Sequence, residues 1–373
     1  MGNRFFRRPG MMGVLAAMVA IVWGLILGFL LLLLFNAPFA GYGMGRLLTA
    51  GLRSGKYFAE VLYRAAPLLL TGLSVAFAFQ TGLFNIGATG QYTVGACCAI
   101  LGAAAGQWPW YLCLLAAMVG GAAWGFFPGF CKAFFQVNEV ITSIMFNWIA
   151  LFLVNLILAN TPMALANYWG ASSAERTAQL GTANPGALLP KAGLDRILGS
   201  NYGNVSIFLA IGVALVLYVI LSRTTFGYEL KACGLNAQAA HYAGMGVRRN
   251  VVLSMVIAGA LAGLAGGVYY LAGNAQYLLE KNLLPMGFNG IPVALLASSH
   301  PIGSIFSALF ISLIQVGGDA MQPEFAKEVI DIIIAVIIYL AAFGVLTRSL
   351  LTKMLKKRES AAANKNADRE ETA

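Results

Sequence analysis

Residues 11 to 35, "MMGVLAAMVAIVWGLILGFLLLLLF", run for the full width of a bilayer without a charge or a proline. A helix of about 20 apolar residues crosses the hydrocarbon, whereas the apolar core of a cleaved signal needs only about 7–15. With Arg4, Arg7 and Arg8 just before it, the run reads as a retained signal-anchor. Further apolar stretches follow near 58–80, 85–106, 109–131, 140–160, 205–222, 250–273, 283–299, 301–320 and 329–347. The chain is 59% hydrophobic and 10% charged, against about a quarter charged for a soluble domain. These features predict an all-α polytopic membrane protein of about ten transmembrane helices. Residues 1–350 form the membrane domain, and 351–373, basic and then polar without apolar content, form a disordered tail.

The net charge of +10 does not point to nucleic acid, because of where it sits. Basic residues gather at the N-terminus, in the loop 223–249 and at "TRSLLTKMLKKRES", as expected of loops facing the cytoplasm. An even number of spans then places both termini there. The loop 161–204 lies on the other side; its Ser, Thr, Asn, Gly and Pro content reads as a cap with short helices. The cysteines Cys97, Cys98, Cys113, Cys131 and Cys233 show no paired ligand spacing and have no His beside them. They read as buried small hydrophobes, not as a metal or disulfide set. His241 and His300 are the two histidines, and no metal or Ser-His-Asp arrangement is visible.

One segment breaks the greasy pattern. "TGLFNIGATGQYTVGA", residues 81–96, carries Asn85, Gln91 and four glycines. In hydrocarbon such groups must find partners inside the protein. Two readings stand: amides and small residues that fasten helices together, or a broken helix lining a polar path. "QVNEVITSIMFNWIA" adds Asn147, and "GFNGIPVALLASSHPIG" adds Phe288, Asn289 and a proline that suits a discontinuous helix. Asn85, Gln91, Asn147, Phe288 and Asn289 are the candidate path residues. Glu139 sits at the start of its span, where a structural or gating role suits it better than proton transfer. "GALAGLAGG" spaces Gly259, Gly263 and Gly267 by four residues, a helix-packing ridge.

The loop "RTTFGYELKACGLNAQAAHYAGMGVRR" is longer than a connection needs. Asn236 can cap a short helix over Ala237–Ala243, and Gly244 with Gly246 ends it. A small pre-formed helix on the membrane face suits docking in another protein's groove; a solvated amphipathic linker is the alternative.

This loop resembles the coupling segment of ABC importer permeases, in the class that carries simple sugars, nucleosides and branched-chain amino acids. The pattern "GxELxAxGxNxxAAxYAGxxV" is matched by Gly227, Glu229, Leu230, Ala232, Gly234, Asn236, Ala239, Ala240, Tyr242, Ala243, Gly244 and Val247. "GLFNIGATGQ" looks like the family's "GLFNIGxEGQ", with Thr89 where an acidic residue is common, and two further blocks carry the likeness to about residue 310. The likeness is nearest to the branch that imports nucleosides with a lipoprotein receptor. His241 and Leu235 depart from the usual basic and acidic residues, and "LLASSHP" lacks the usual Gly and basic residue.

The resemblance implies a permease subunit that moves a small neutral polar solute, most simply a purine nucleoside; a ribose-like sugar is the alternative. It implies a second permease, identical or paralogous, cytosolic ATPase subunits holding ATP and Mg, and an extracytoplasmic solute-binding lipoprotein. Glu229, Gly234, Asn236, Ala239, Ala240, Tyr242 and Gly244 are implied in ATPase coupling. A phosphate-cradling loop needs G-x-x-x-x-G-K-[ST], and "GLRSGKY" at 51–57 is too short and ends in Tyr, so no cofactor is expected on this chain. An ion-coupled secondary transporter, the rival class, would want a carboxylate relay inside the membrane. The middle of the spans offers none, with Asp319 and Asp331 near predicted ends.

Overall fold

A computed structural model describes residues 9–173 and 175–342. Arg4, Arg7, Arg8 and the tail 351–373 lie outside the described residues. Helices in chain order are α1 (Pro9–Asn36), α2 (Ala40–Arg53), α3 (Gly55–Gln80), α4 (Ala88–Ala104), α5 (Trp110–Phe135) and α6 (Glu139–Ala159). After two single turns, α7 (Leu180–Ala183) and α8 (Leu194–Leu198), come α9 (Ser206–Arg223), α10 (Thr225–Leu235), α11 (Ala237–Tyr242) and α12 (Val247–Leu271). The chain continues through α13 (Pro285–Leu296), α14 (Pro301–Asp319) and α15 (Lys327–Ala342).

Seven helical stretches among the described residues are long and apolar enough to cross a membrane: Ile21–Arg53, α3, α5, α6, α9, α12 and α14. The other three expected spans are present as shorter helices. α4 has 17 residues because 81–87 is not helical, α13 has 12, and α15 has 16. The chain is thus an all-α polytopic membrane protein.

The fold divides into two compact units. In the first, residues 1–44 and 321–373, α1 packs on α15: a β-carbon on Gly24 would stand 2.9 Å from the Ile337 carbonyl oxygen. Asn36 Nδ2 donates to the Glu324 carbonyl at 3.2 Å.

The second unit, residues 45–320, holds the larger core. α3 is almost wholly enclosed, whereas α5, α6 and α9 leave most of their apolar surface outside. Val119, Met145 and Val216 are exposed there, as a helix facing lipid requires. Within the unit, α4, α5 and α12 meet backbone to backbone. A β-carbon on Gly121 would collide with the Gly259 carbonyl oxygen, one on Gly263 with the Ala117 carbonyl oxygen, and one on Gly95 with Gly263 itself. Gly267 rests on the Ala117 methyl, where a β-carbon would stand 2.8 Å away. Small residues let helices approach this closely, and in lipid that packing is a main source of association.

Segment 161–204 is fastened across one end of this unit. Asn184 Nδ2 donates to the carbonyls of Ala103 and Trp108 at 3.1 and 3.0 Å. The Leu189 amide donates to the Leu271 carbonyl at 2.9 Å. Thr177 and Tyr277 exchange two bonds of 3.0 and 2.9 Å, and the Tyr277 hydroxyl donates to Asn155 Oδ1 at 3.1 Å. Burial raises the Tyr277 pKa, so its phenol remains a donor.

Candidate functional site

The non-helical stretch 81–87 sits between α3 and α4, and its polar groups are satisfied inside the protein. Asn85 is fully buried; its Nδ2 donates to Gln91 Oε1 at 2.8 Å and to Ser74 Oγ at 3.0 Å. Gln91 Nε2 returns a bond to Asn85 Oδ1 at 3.1 Å. Ser74 passes the chain on to the Ala258 carbonyl at 2.6 Å. Asn147 clamps the other side: its Oδ1 accepts from the Gly90 amide at 2.8 Å, and its Nδ2 donates to the Ile86 carbonyl at 3.1 Å. In lipid an open backbone is tolerated only where such partners exist, so these amides hold a helix break inside the bundle. Of the five candidate path residues, the structure joins Asn85 directly to Gln91 and sets Asn147 against the same helix start. Phe288 and Asn289 stand on α13, half-buried.

α13 meets α4 start to start. A β-carbon on Gly287 would stand 2.5 Å from Thr89 Oγ1 and 2.6 Å from the Thr89 nitrogen. One turn on, Gly290 rests on Thr71 and Gly72, a little past the middle of the 26-residue α3. The two helix starts therefore touch deep in the bundle.

At the end away from segment 161–204, α10 and α11 form a small platform. Thr224 caps α10 by accepting from the Gly227 amide at 3.1 Å. Asn236 caps α11 by accepting from the Ala239 amide at 3.0 Å, and Gly244 leaves it with φ +81°, the conformation glycine adopts freely. Ala240 is buried, whereas Leu235 and Tyr242 are 89% and 92% exposed. Ala239 is also exposed. Glu229 is half-buried, and its Oε2 accepts from the buried Asn250 at 3.1 Å. Gly234 presses on the turn ahead of α4; a β-carbon there would stand 2.5 Å from the Gln80 carbonyl oxygen and 2.9 Å from the Gly82 nitrogen. The platform and the end of α5 border an open groove of about 1120 Å³ whose lining includes Lys132, His241, Tyr242, Arg248 and Arg249. Lys132 pairs with Glu139 at 2.8 Å, and Arg248 lies 5.9 Å from the Phe134 ring centre.

Two features were missed in the sequence. Arg64, inside α3, bonds Glu60 one turn before it and Asp319 at the end of α14, the latter at 2.7 Å. A cation inside a predicted span with a carboxylate four residues earlier was the available signal. The second is the contact of Gly234 with Gly82, which no local pattern announces.

Comparison with known proteins completes the description. The family model described as "Branched-chain amino acid transport system / permease component" matches residues 57–342. The chain is 36% identical to the guanosine ABC transporter permease protein NupP of Bacillus subtilis, over 92% of this chain and 97% of that protein. It is 34% identical to the nucleoside ABC transporter permease protein NupB of Lactococcus lactis, over 95% and 98%. It is 32% identical to the glucose ABC transporter permease protein TsgB13 of Haloferax volcanii, over 87% and 85%. No solved structure matches the chain.

Proposed function

This chain belongs to the family of branched-chain amino acid transport system permease components, and from that premise we propose that it is the membrane-spanning permease of an ABC importer for a purine nucleoside. The observation that carries the substrate is the likeness to two nucleoside permeases along nearly the whole of both chains. The glucose permease shares less of its length and less identity. A neutral solute also suits a core whose deep polar groups are amides and hydroxyls.

The platform of α10 and α11 is the docking point for a cytosolic ATPase subunit that binds ATP and Mg. Its support is the exposure of Leu235 at the end of α10 and of Tyr242 on α11, the helix capped by Asn236. Exposed apolar side chains on a short fixed helix are what a partner's groove can bury. The basic rim at Arg248 and Arg249 favours acidic side chains on that partner. A second permease, identical or paralogous, completes the path, and an extracytoplasmic lipoprotein delivers solute to the end covered by segment 161–204. Both termini then lie in the cytoplasm, and the membrane is the bacterial inner membrane.

Movement has a short route inward. A push on α11 reaches Gly234, whose backbone lies against Gln80 and Gly82, and so reaches the turn that carries Asn85. Alternating access follows if that turn and α4 shift together.

The test is uptake of labelled guanosine, adenosine and ribose by cells with and without this chain, repeated with the ATPase partner's catalytic carboxylate removed. Nucleoside uptake lost in both strains is the expected result. Ribose uptake alone would move the substrate to the sugar class. Uptake that survives the ATPase change and collapses with an ionophore would hand the function to an ion-coupled carrier.

A further inference from the structure

The junction of α4 and α13 has features that packing alone does not need. Thr89 Oγ1 is fully buried, lies against the first turn of α13, and has no hydrogen-bond partner. Ser143 Oγ, 3.1 Å from where a β-carbon on Gly87 would stand, is also buried without a partner. No side chain caps the start of α13, and the first amides of a helix have no partner within it. On α4 only Gly90 of the first turn is capped, by Asn147. Two helix starts, each the positive end of its helix, thus lie against one another, and the hydroxyls of Thr89 and Ser143 are buried without a partner. Leaving a buried hydroxyl unmet costs free energy that a ligand oxygen would return.

α13 is also flanked by irregular backbone at both ends. It hangs between the irregular segment 272–284 and a turn at Ser298 and Ser299, whose φ angles are +49° and +56°. Such backbone is sparsely populated for residues with a side chain and collects at switching regions. The turn is tied to α3, since Gln80 Nε2 donates to the Ser299 carbonyl at 3.1 Å. Gln80 is the residue whose carbonyl lies under Gly234, so the docking platform and α13 share one anchor.

We propose that this junction is the point at which the permease holds its solute in transit. Thr89 is a direct hydrogen-bonding contact, and Phe288 is the face on which a planar ring rests. The structure shows the site shut, with Gly287 seated on Thr89. When α13 lifts, the hydroxyl, the helix-start amides and the half-buried Asn289 amide line one opening. That set is rich in donors and carries no charge. It takes a neutral solute that presents carbonyl and hydroxyl oxygens next to an aromatic ring, as a purine nucleoside does. The proposal rests on the nucleoside reading above for the ring, and on the junction itself for the oxygens.

The experiment compares Thr89→Val and Thr89→Ser with the unaltered chain in cells that carry the rest of the importer. Valine keeps the shape and deletes a hydroxyl that no protein group uses, so a purely structural Thr89 predicts unchanged or greater stability and full uptake. A direct contact predicts that Thr89→Val lowers guanosine uptake roughly three- to ten-fold, the value of one neutral hydrogen bond. Thr89→Ser should restore uptake, and the amount of assembled complex should stay the same in both. Uptake by Thr89→Val at the unaltered rate would overturn the site. If the unaltered chain imports ribose and no nucleoside, the nucleoside reading falls; the same comparison made with ribose then decides the site by itself.

Discussion

Removing Asn85 tests whether the amides of the helix break fasten the bundle or meet the solute. Asn85→Ala leaves both polar atoms of Gln91 unpaired in a fully buried place, since each is bonded to Asn85 at 2.8 and 3.1 Å. At about 1–3 kcal/mol for each orphaned buried group, the loss is about 2–6 kcal/mol. Gln91→Ala strands only Asn85 Oδ1, because Asn85 Nδ2 keeps Ser74, so it should cost less, about 1–3 kcal/mol. The double variant has no orphan left from the pair, so it should fall short of the sum by about 3 kcal/mol or more, the combined cost of the three orphaned atoms. The assay is thermal unfolding of the purified protein in detergent, followed by loss of the monodisperse peak on size exclusion. Additive losses, or single variants that stay as stable as the parent but fail to transport, would refute the fastening account and return these amides to the solute path.

Three further outcomes follow from contacts at the two ends of the bundle. Gly234→Ala places a methyl 2.5 Å from the Gln80 carbonyl oxygen; ATP hydrolysis should persist while solute moved per ATP falls several-fold, measured in proteoliposomes. Tyr242→Ala removes a side chain that is 92% exposed; stability should change by less than about 0.5 kcal/mol, while copurification of the ATPase subunit drops. Arg64→Met leaves Glu60 and Asp319 without their shared cation. A buried broken pair costs about 3–5 kcal/mol, and with Asp319 half exposed about 1–2 kcal/mol is expected, read as a lower melting temperature that Asp319→Asn partly restores.

The parts legible in the sequence were those written locally. Apolar runs mark the spans by length, and Gly259, Gly263 and Gly267 announce a helix face by spacing. Asn236 and Gly244 bracket α11 because capping chemistry acts within a few residues. The bond from Asn250 to Glu229 joins two helices, and no pattern along the chain specifies it. The start of α4 was placed at 85, three residues early, because Asn85 and Ile86 look as helical as their neighbours. What removes them is the clamp from Asn147 on a different helix. Arg64 escaped notice because a single cation barely lowers the apolarity of a long run. The meeting of Gly287 with Thr89 depends on two segments far apart in the chain, each ordinary alone.

The bare-backbone seam among α4, α5 and α12 bears on how the protein is made. α4 is short, carries Gln91 and two threonines, and is not among the helices apolar enough to cross by themselves. Its neighbours α3 and α5 leave the ribosome on either side of it and can carry it into the bilayer as a hairpin group. The face of α4 at Gly95, however, is shaped for Gly263, which is synthesised only much later. Until α12 arrives, that face has nothing of the right contour to lean on, and α4 waits in the membrane as an unfinished joint. Insertion of this protein is therefore a matter of sequence in time: the later-made glycine ridge of α12 closes the seam that the early helices leave open.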